Sequence, residues 1–200
     1  MIMKKLFDEF PQLESDRLTL REWAAADAPA IEAIIHDPDV YRFLPTFLYE
    51  QSYEDVGEMV ARSRKERFDT HDSILLGIFF KNDPERLVGI AEVYNYEPEK
   101  EKASIGYRLN KIYWGNGIAS ETTALLVKYL IGQTDVRKIT AHVMAENAAS
   151  ARVLEKNGFV LRWTGLREDW GRGAPVLVNK YMYKLSPEQK QSIIHLQNTL

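Results

Sequence analysis

Apolar and polar residues alternate with a period of two in residues 17–23, which is the pattern of a β-strand with one buried face. Similar strand-like segments follow at residues 73–81, 86–96, 103–109, 138–144, 159–166 and 176–185. The first three of these later segments are joined by connections that are too short to hold a crossover helix. They therefore predict an antiparallel meander.

Apolar residues recur at helical spacing in four other stretches, and the second of them covers residues 52–68. The third lies between the strands at 103–109 and 138–144 and is predicted to end at Gly132, while the fourth is predicted to end at Gly158. A strand, a helix and a strand in this order predict a right-handed parallel crossover.

Together these elements predict an α/β (α+β) fold in which a mixed, largely antiparallel sheet of six to seven strands is flanked by helices. The chain of 200 residues suits one compact domain, which we place at residues 1–185. Residues 186–200 are predicted to form a C-terminal helical tail. Its apolar stretch around Ile193 is expected to pack on its own domain or on a second copy, which leaves a homodimer open.

Composition narrows the classes of function. The chain is 45% hydrophobic and 28% charged with a net charge of -3, so bulk attraction to nucleic acid or to an anionic membrane is not expected. There is no cysteine, which excludes disulfides, zinc thiolate sites and covalent thiol catalysis. No signal peptide and no stretch of roughly 18 apolar residues is visible. We expect a cytoplasmic protein that uses no metal.

Two glycines lie between a predicted strand and a predicted helix, at Gly115 and Gly117. This arrangement leaves backbone N–H groups uncovered at a helix N-terminus, where the helix dipole adds partial positive charge and favours a pyrophosphate. The third glycine of a dinucleotide-binding fingerprint is absent, because Ser120 stands there, and no Gly-Lys-Ser/Thr follows as in a P-loop. The pattern predicts a phosphorylated ligand of another kind.

A second segment makes the pattern more specific. Asn147 can cap the fourth predicted helix, and Ser150 lies on the same helical face, at the C-terminal end of the strand at 138–144. The two segments together resemble the Gcn5-related N-acetyltransferases (GNAT), most closely the branch that contains the ribosomal-protein N-terminal acetyltransferases. The resemblance covers roughly residues 15–185 and rests on residues 105–107, 113–121, 147, 150, 152–156 and 158–159.

One position departs from the pattern of the superfamily. Three residues before the first glycine, where Arg or Gln is frequent, this chain has Ile112. The backbone N–H groups are therefore expected to carry most of the contact with the pyrophosphate.

The resemblance implies acetyl-coenzyme A as cosubstrate and a parallel central strand pair that splays apart to admit it. It implies that an N–H group near Tyr107 to Leu109 faces the acetyl oxygen, that Asn147 binds the pantetheine amides, and that Ser150 lies near the sulfur as the candidate acid. The pyrophosphate is expected on Trp114, Gly115, Asn116, Gly117, Ile118 and Ala119.

Two residues are candidates for the base that accepts the proton of the amine. Glu92 lies on the middle strand of the meander and is the first candidate base, and His142 is the alternative because imidazole titrates near neutrality. An α-amine, with a pKa of roughly 8, needs less help from a base than a lysine amine at about 10.4.

The expected reaction is direct transfer of acetyl to a primary amine in a ternary complex, because no cysteine is available to carry the group. The preferred acceptor is a protein or peptide N-terminus. The alternatives are a small amine, such as an antibiotic, a polyamine or an amino-acid derivative, and a non-catalytic module that binds acyl-coenzyme A.

Overall fold

The computed structural model describes residues 5–185, which build one eight-stranded sheet in the order β1-β2-β3-β4-β5-β6-β8-β7. The strands are β1 (Leu13–Glu14), β2 (Leu18–Arg21), β3 (Ser73–Phe80), β4 (Asp83–Glu97), β5 (Lys102–Leu109), β6 (Lys138–Met144), β7 (Val160–Glu168) and β8 (Val176–Lys184). The helices are α1 (Ala28–Ile35), α2 (Pro38–Tyr41), α3 (Val56–Ser63), α4 (Ile118–Gln133) and α5 (Ala148–Lys156).

The sheet is mixed, as the sequence predicts. Strands β1 to β5 pair antiparallel in chain order. Helix α4 connects β5 to β6, and these two strands pair in parallel. Strand β8 lies between β6 and β7 and is antiparallel to both. One strand exceeds the predicted six to seven, because Leu13 and Glu14 pair with β2. A strand of two residues is too short to show a period in the sequence.

Helices cover both faces of the sheet and define two apolar clusters. Residues on α4, such as Ile118 and Leu126, pack with Ala91 of β4 on one face. Ile31 of α1 packs on the other face with Ile90, the neighbour of Ala91. Adjacent strand residues point to opposite faces, so each central strand presents alternate side chains to two different layers.

The parallel pair β5–β6 parts after three residues. Lys102, Ala103 and Ser104 have register partners on β6, and no further partner follows, although β5 remains paired with β4 as far as Leu109. Strand β6 remains paired with β8 as far as Met144. The splay implied by the resemblance is confirmed, and it leaves unpaired backbone along both facing edges.

Two helix ends show where the sequence prediction holds and where it is wrong. Gly158 has a φ of +80° and follows Asn157, the C-cap of α5, as the glycine after a C-cap requires. Gly132 lies inside α4, which continues to Gln133. The Thr134 hydroxyl donates to the Leu130 carbonyl at 2.7 Å, so a side-chain hydroxyl satisfies a backbone group at this end.

The helix predicted over residues 52–68 is shorter than expected. It consists of α3 followed by a π-helical turn at Arg64–Phe68. Within residues 5–185 no helix is both long and apolar enough to span a bilayer. The single domain at 1–185 stays a prediction, and the tail at 186–200 lies outside the described residues.

Candidate active site

A cleft of about 820 Å³ lies where β5 and β6 part. Five consecutive residues of β5, from Ile105 to Leu109, line it, and so do three consecutive residues of β6, from Ala141 to Val143. Because successive side chains of a strand point to opposite faces, a cleft lined by consecutive residues opens on both faces of the sheet. Two molecules can therefore meet in it from opposite sides.

The glycine loop forms one end of this cleft. Gly115 and Gly117 both have a φ of +77°, and α4 begins directly afterwards at Ile118. A Cβ atom at Gly115 would meet nothing within 4 Å, so free space lies over the loop. The first N–H groups of α4 have no carbonyl one turn before them and are available to an anion. The loop fits a diphosphate.

The side chain of Asn116 is turned back onto the loop. Its amide donates to the carbonyls of Tyr113 at 3.2 Å and Trp114 at 3.1 Å, which leaves its backbone as the group to meet a ligand. The Trp114 indole donates to the Leu109 carbonyl at 3.0 Å. These contacts connect the loop to the end of β5.

Arg17 also supports the loop, a role that no pattern in the sequence predicted. Its Nε donates to Glu121 Oε2 at 2.7 Å and its Nη1 to the Asn116 carbonyl at 3.3 Å. Ser15 Oγ donates to the other Glu121 oxygen at 2.6 Å. Burial tends to raise the pKa of Glu121, but the hydrogen bonds from Ser15 and Arg17 outweigh it and the pKa is lowered. The charged carboxylate thus anchors the start of α4.

Helix α5 begins beside the cleft, and its first turn holds two of the predicted site residues. Asn147 Oδ1 accepts from the Ser150 N–H at 3.1 Å, which confirms the predicted cap. Ser150 Oγ accepts from the Tyr107 hydroxyl at 3.2 Å. Burial raises the pKa of Tyr107, so its phenol stays protonated and the Ser150 proton is free to point elsewhere.

The structure gathers nearly all predicted site residues around one cleft. Those that line it are Glu92, Tyr107, Leu109, Trp114, Gly115, Gly117, Ile118, Ala119, Asn147 and Ser150. Arg152 and Lys156, one turn apart on α5, also line it and have exposed side chains. The individual binding and catalytic roles of these residues stay predictions.

Glu92 belongs to a buried charge cluster on the face of the sheet that carries α1 to α3. Arg108 Nη1 donates to Glu92 Oε2 at 3.0 Å, and the same guanidinium pairs with Glu50. Tyr41 donates to Glu50 Oε1 at 2.6 Å. Burial, the main cause, raises the pKa of Glu92. One oxygen of the first candidate base is therefore already engaged.

Glu50 was missed by the sequence analysis. It lies in a short 3-10 turn, Tyr49–Gln51, where a polar residue is expected to be solvated, yet it is 1% exposed. Its Oε2 atom has no hydrogen-bond partner among the described residues. Its other oxygen is held by Tyr41 and by Arg108, and the contact with Arg108 on the distant strand β5 could not be predicted from the local sequence.

The segment between α2 and α3 forms the wall of the cleft on this face, which we call the acceptor wall and define as residues 43–49. The wall residues that line the cleft are Phe43, Leu44, Pro45, Phe47, Leu48 and Tyr49. Arg172, in the β7–β8 loop, donates through Nη2 to the Leu44 carbonyl at 2.8 Å, and the Thr46 N–H donates to the Trp170 carbonyl at 2.9 Å. The β7–β8 loop thus holds the wall in place.

His142, the alternative base, also lines the cleft on this face. Its Nδ1 atom lies 2.8 Å from Glu168 Oε1 at the end of β7. Within residues 5–185 no group of three or more His, Cys, Asp or Glu side chains is arranged to hold a metal ion.

Comparison with known proteins gives a consistent result. The profile of the family described as Acetyltransferase (GNAT) domain matches residues 17–160. An uncharacterized N-acetyltransferase, YoaA of Bacillus subtilis, is 31% identical over 172 residues, which cover 86% of this chain and 96% of that protein. A ribosomal-protein-serine acetyltransferase of Escherichia coli is 30% identical over 84 residues, which cover 42% of this chain and 46% of that protein.

A solved structure with a similar fold is that of spermidine N-acetyltransferase from Vibrio cholerae in complex with CoA and spermine. The TM-score is 0.70 at 18% identity, and the match covers 85% of this chain and 96% of that one.

Proposed function

Because this chain belongs to the GNAT family and is an acetyl-CoA-dependent N-acetyltransferase, we propose that it transfers acetyl directly to a primary amine in a ternary complex, preferably to a protein or peptide N-terminus. The observation that carries the proposal is the cleft that opens on both faces of the sheet. Its α4–α5 face holds the phosphate loop and Ser150, and its α1–α3 face holds the acceptor wall.

The residues of the α4–α5 face fit acetyl-CoA. The loop from Trp114 to Ala119 would hold the diphosphate through backbone N–H groups, and the free edge of β5 would bind the pantetheine arm. The Asn147 oxygen is used in its cap, so only its amide N–H groups remain for the cosubstrate. Arg152 and Lys156 place two cations on the same side of the cleft. When bound, the cosubstrate supplies an acetyl group that is activated as a thioester.

Ser150 and Tyr107 serve the sulfur side of the transfer. As the amine nitrogen forms its bond to the carbonyl carbon, the carbon–sulfur bond breaks and its electron pair stays on sulfur. The Ser150 hydroxyl donates a hydrogen bond to that sulfur, and the Tyr107 hydroxyl, donating to Ser150 Oγ at 3.2 Å, polarises the Ser150 hydroxyl and strengthens this bond. The thiol leaves with one proton that the amine nitrogen has given up.

The acceptor assignment rests on two findings. Most side chains of the acceptor wall are apolar, which suits a flexible peptide end lying along it. The Escherichia coli relative is named for acting on a ribosomal protein. A small amine is the second candidate, because the Vibrio cholerae enzyme of similar fold is named for spermidine.

A thiol-release assay tests the proposal. The protein is incubated with acetyl-CoA and with peptides that differ in their first residue, or with spermidine, glucosamine and phenylethylamine. Mass spectrometry of the product locates the acetyl group. A peptide whose N-terminus is already acetylated serves as the control and should gain no second acetyl group there. Intersecting initial-rate lines indicate a ternary complex, whereas parallel lines contradict it. Binding of acetyl-CoA without thiol release on the whole panel would favour a non-catalytic module.

A further inference from the structure

His142 lies on the part of β6 that is no longer paired with β5. It lies two residues beyond the last β5–β6 pair, which ends at Thr140, so it faces the gap between the parting strands. Thr140 pairs with Ser104 and Gly106 pairs with Glu92, which places His142 on the same face as Glu92 and the acceptor wall. The imidazole is 25% exposed in the cleft.

Glu168 fixes the orientation of this imidazole. His142 Nδ1 lies 2.8 Å from Glu168 Oε1. Two lone pairs would repel at this distance, so Nδ1 carries a proton and the lone pair of the neutral ring lies on Nε2. Glu168 is itself held, because its Oε2 accepts from the Trp170 indole at 3.0 Å. Trp170 is buried against Met144 and Val178, so the carboxylate has a rigid support.

Nε2 of His142 has no partner among residues 5–185. Glu92, by contrast, gives one oxygen to Arg108 and shares that guanidinium with Glu50. A base must be within reach of the proton and must not be committed to a cation. Both candidate bases line the cleft, but Glu92 is paired with the Arg108 guanidinium and His142 is paired with no cation among residues 5–185.

We propose that His142 Nε2 accepts the proton of the acceptor ammonium and that Glu168 is the residue that positions it. This assignment rests on the proposed acetyltransferase function and adds the proton acceptor to it. The ammonium gives one proton to Nε2 and becomes a neutral amine, whose lone pair forms the new carbon–nitrogen bond. The second proton leaves that nitrogen for the thiol sulfur. His142 returns its proton to solvent, so protons and electron pairs balance over the cycle.

The groups that face His142 come from three neighbouring elements. Glu168 on β7 places a carboxylate beside the imidazole, and Lys180 on β8, the register partner of His142, places an ammonium on the same face. Lys180 Nζ lies 5.5 Å from the centre of the Trp163 ring. Tyr94 on β4 lies near Glu92 and Glu168, and burial together with their negative charges raises the pKa of its phenol. Tyr94 therefore stays neutral, and Glu168 and Lys180 set the field at the imidazole.

His142→Gln tests the role of the base, with the best acceptor of the thiol-release panel. For a strongly basic amine we expect kcat to fall by about 10²- to 10⁴-fold, and the acidic limb of its pH profile to disappear. For an amine that is already neutral at the assay pH, the loss should be less than about tenfold, because no proton has to be removed first. The Kd for acetyl-CoA, measured by calorimetry, should not change.

Glu168→Gln and Glu92→Gln distinguish the dyad from the buried cluster. Glu168→Gln should reduce kcat by about tenfold or more, in line with a positioning role, and shift the acidic limb. Folded Glu92→Gln should keep that limb. Long-range ¹H–¹⁵N spectra of the four histidines, assigned with His142→Gln, should show the Nδ1–H tautomer at neutral pH, and Glu168→Gln should change it.

Three results would overturn the assignment. They are an unchanged pH profile in His142→Gln, loss of the acidic limb in Glu92→Gln, and an Nε2–H tautomer at His142. The spectra need no acceptor. A protein that releases no thiol with any amine would therefore refute the acetyltransfer proposal separately, whatever the tautomer is.

Discussion

Replacing Arg108 by Met should destabilise the fold more than any exposed charge change. The Arg108 side chain is 2% exposed, and its two partners, Glu50 and Glu92, are 0% and 9% exposed. Met retains most of the apolar stem but leaves two buried carboxylates without a cation. Removing one partner of a buried ion pair costs about 3–5 kcal/mol. In a chain of this size 1 kcal/mol corresponds to about 2–4 °C, so Tm should fall by about 6–20 °C.

The penalty should depend on pH with a definite sign. Burial already raises the pKa of Glu92 above its ordinary 4.5, and loss of Arg108 raises it further. Between the folded and the unfolded pKa, the native state of the variant binds a proton that the unfolded chain has released, so its stability increases as the pH falls through the folded pKa. The difference from the wild-type protein should be smaller at about pH 5 than at about pH 8.

Urea unfolding followed by circular dichroism, without ligand, measures both effects. Arg17→Met is the matched control, because Arg17 is 52% exposed in its pair with Glu121 and such a pair contributes about 0–1 kcal/mol. If Arg108→Met were within about 1 kcal/mol of Arg17→Met, or if its penalty were the same at both pH values, the account of the buried cluster would be refuted.

Three further substitutions test the site. Gly117→Glu should abolish acetyl-CoA binding in calorimetry by placing a negative charge in the phosphate loop, whereas Gly132→Ala, with no atom near its Cβ position inside α4, should bind normally. Ser150→Ala should lower kcat by about 10²-fold and leave the acetyl-CoA Kd unchanged. In the double variant, Tyr107→Phe should lower kcat little beyond the effect of Ser150→Ala, and fully additive effects would contradict the idea that Tyr107 acts through Ser150. Gly171→Ala places a Cβ 2.1 Å from Thr46 Oγ1 and should raise the acceptor KM severalfold by displacing the acceptor wall. Gly173→Ala has a similar φ of +77° but no neighbour within 4 Å, so an equal effect there would exclude the clash as the cause.

The sequence predicted the features that depend on neighbours in the chain. Alternation of apolar residues located seven of the eight strands, and only β1, with two residues, escaped it. The glycine pair predicted a loop with uncovered backbone N–H groups before a helix, and the structure has that loop, with a φ of +77° at Gly115 and Gly117 that glycine adopts without strain. Asn147 and Gly158 were likewise predicted to begin and end the same helix, and they lie at the two ends of α5.

The predicted end of α4 was wrong because tertiary packing outweighed a local signal. Gly132 was predicted to end α4, but a glycine can also be accommodated inside a helix at a cost of about 1 kcal/mol. Packing of Leu130 and Ile131 outweighs that cost, and the helix continues to Gln133.

The sequence by itself determined the order of strands and helices, the glycine loop and the family, because each depends on residues a few positions apart. Only the tertiary structure decided which charges meet. Arg17 reaches Glu121, Glu50 reaches Arg108 and His142 reaches Glu168 across different strands and loops. Neither periodicity nor spacing encodes such partners, because pairing and splaying of the sheet bring them together. The choice between Glu92 and His142 as base therefore required the folded chain.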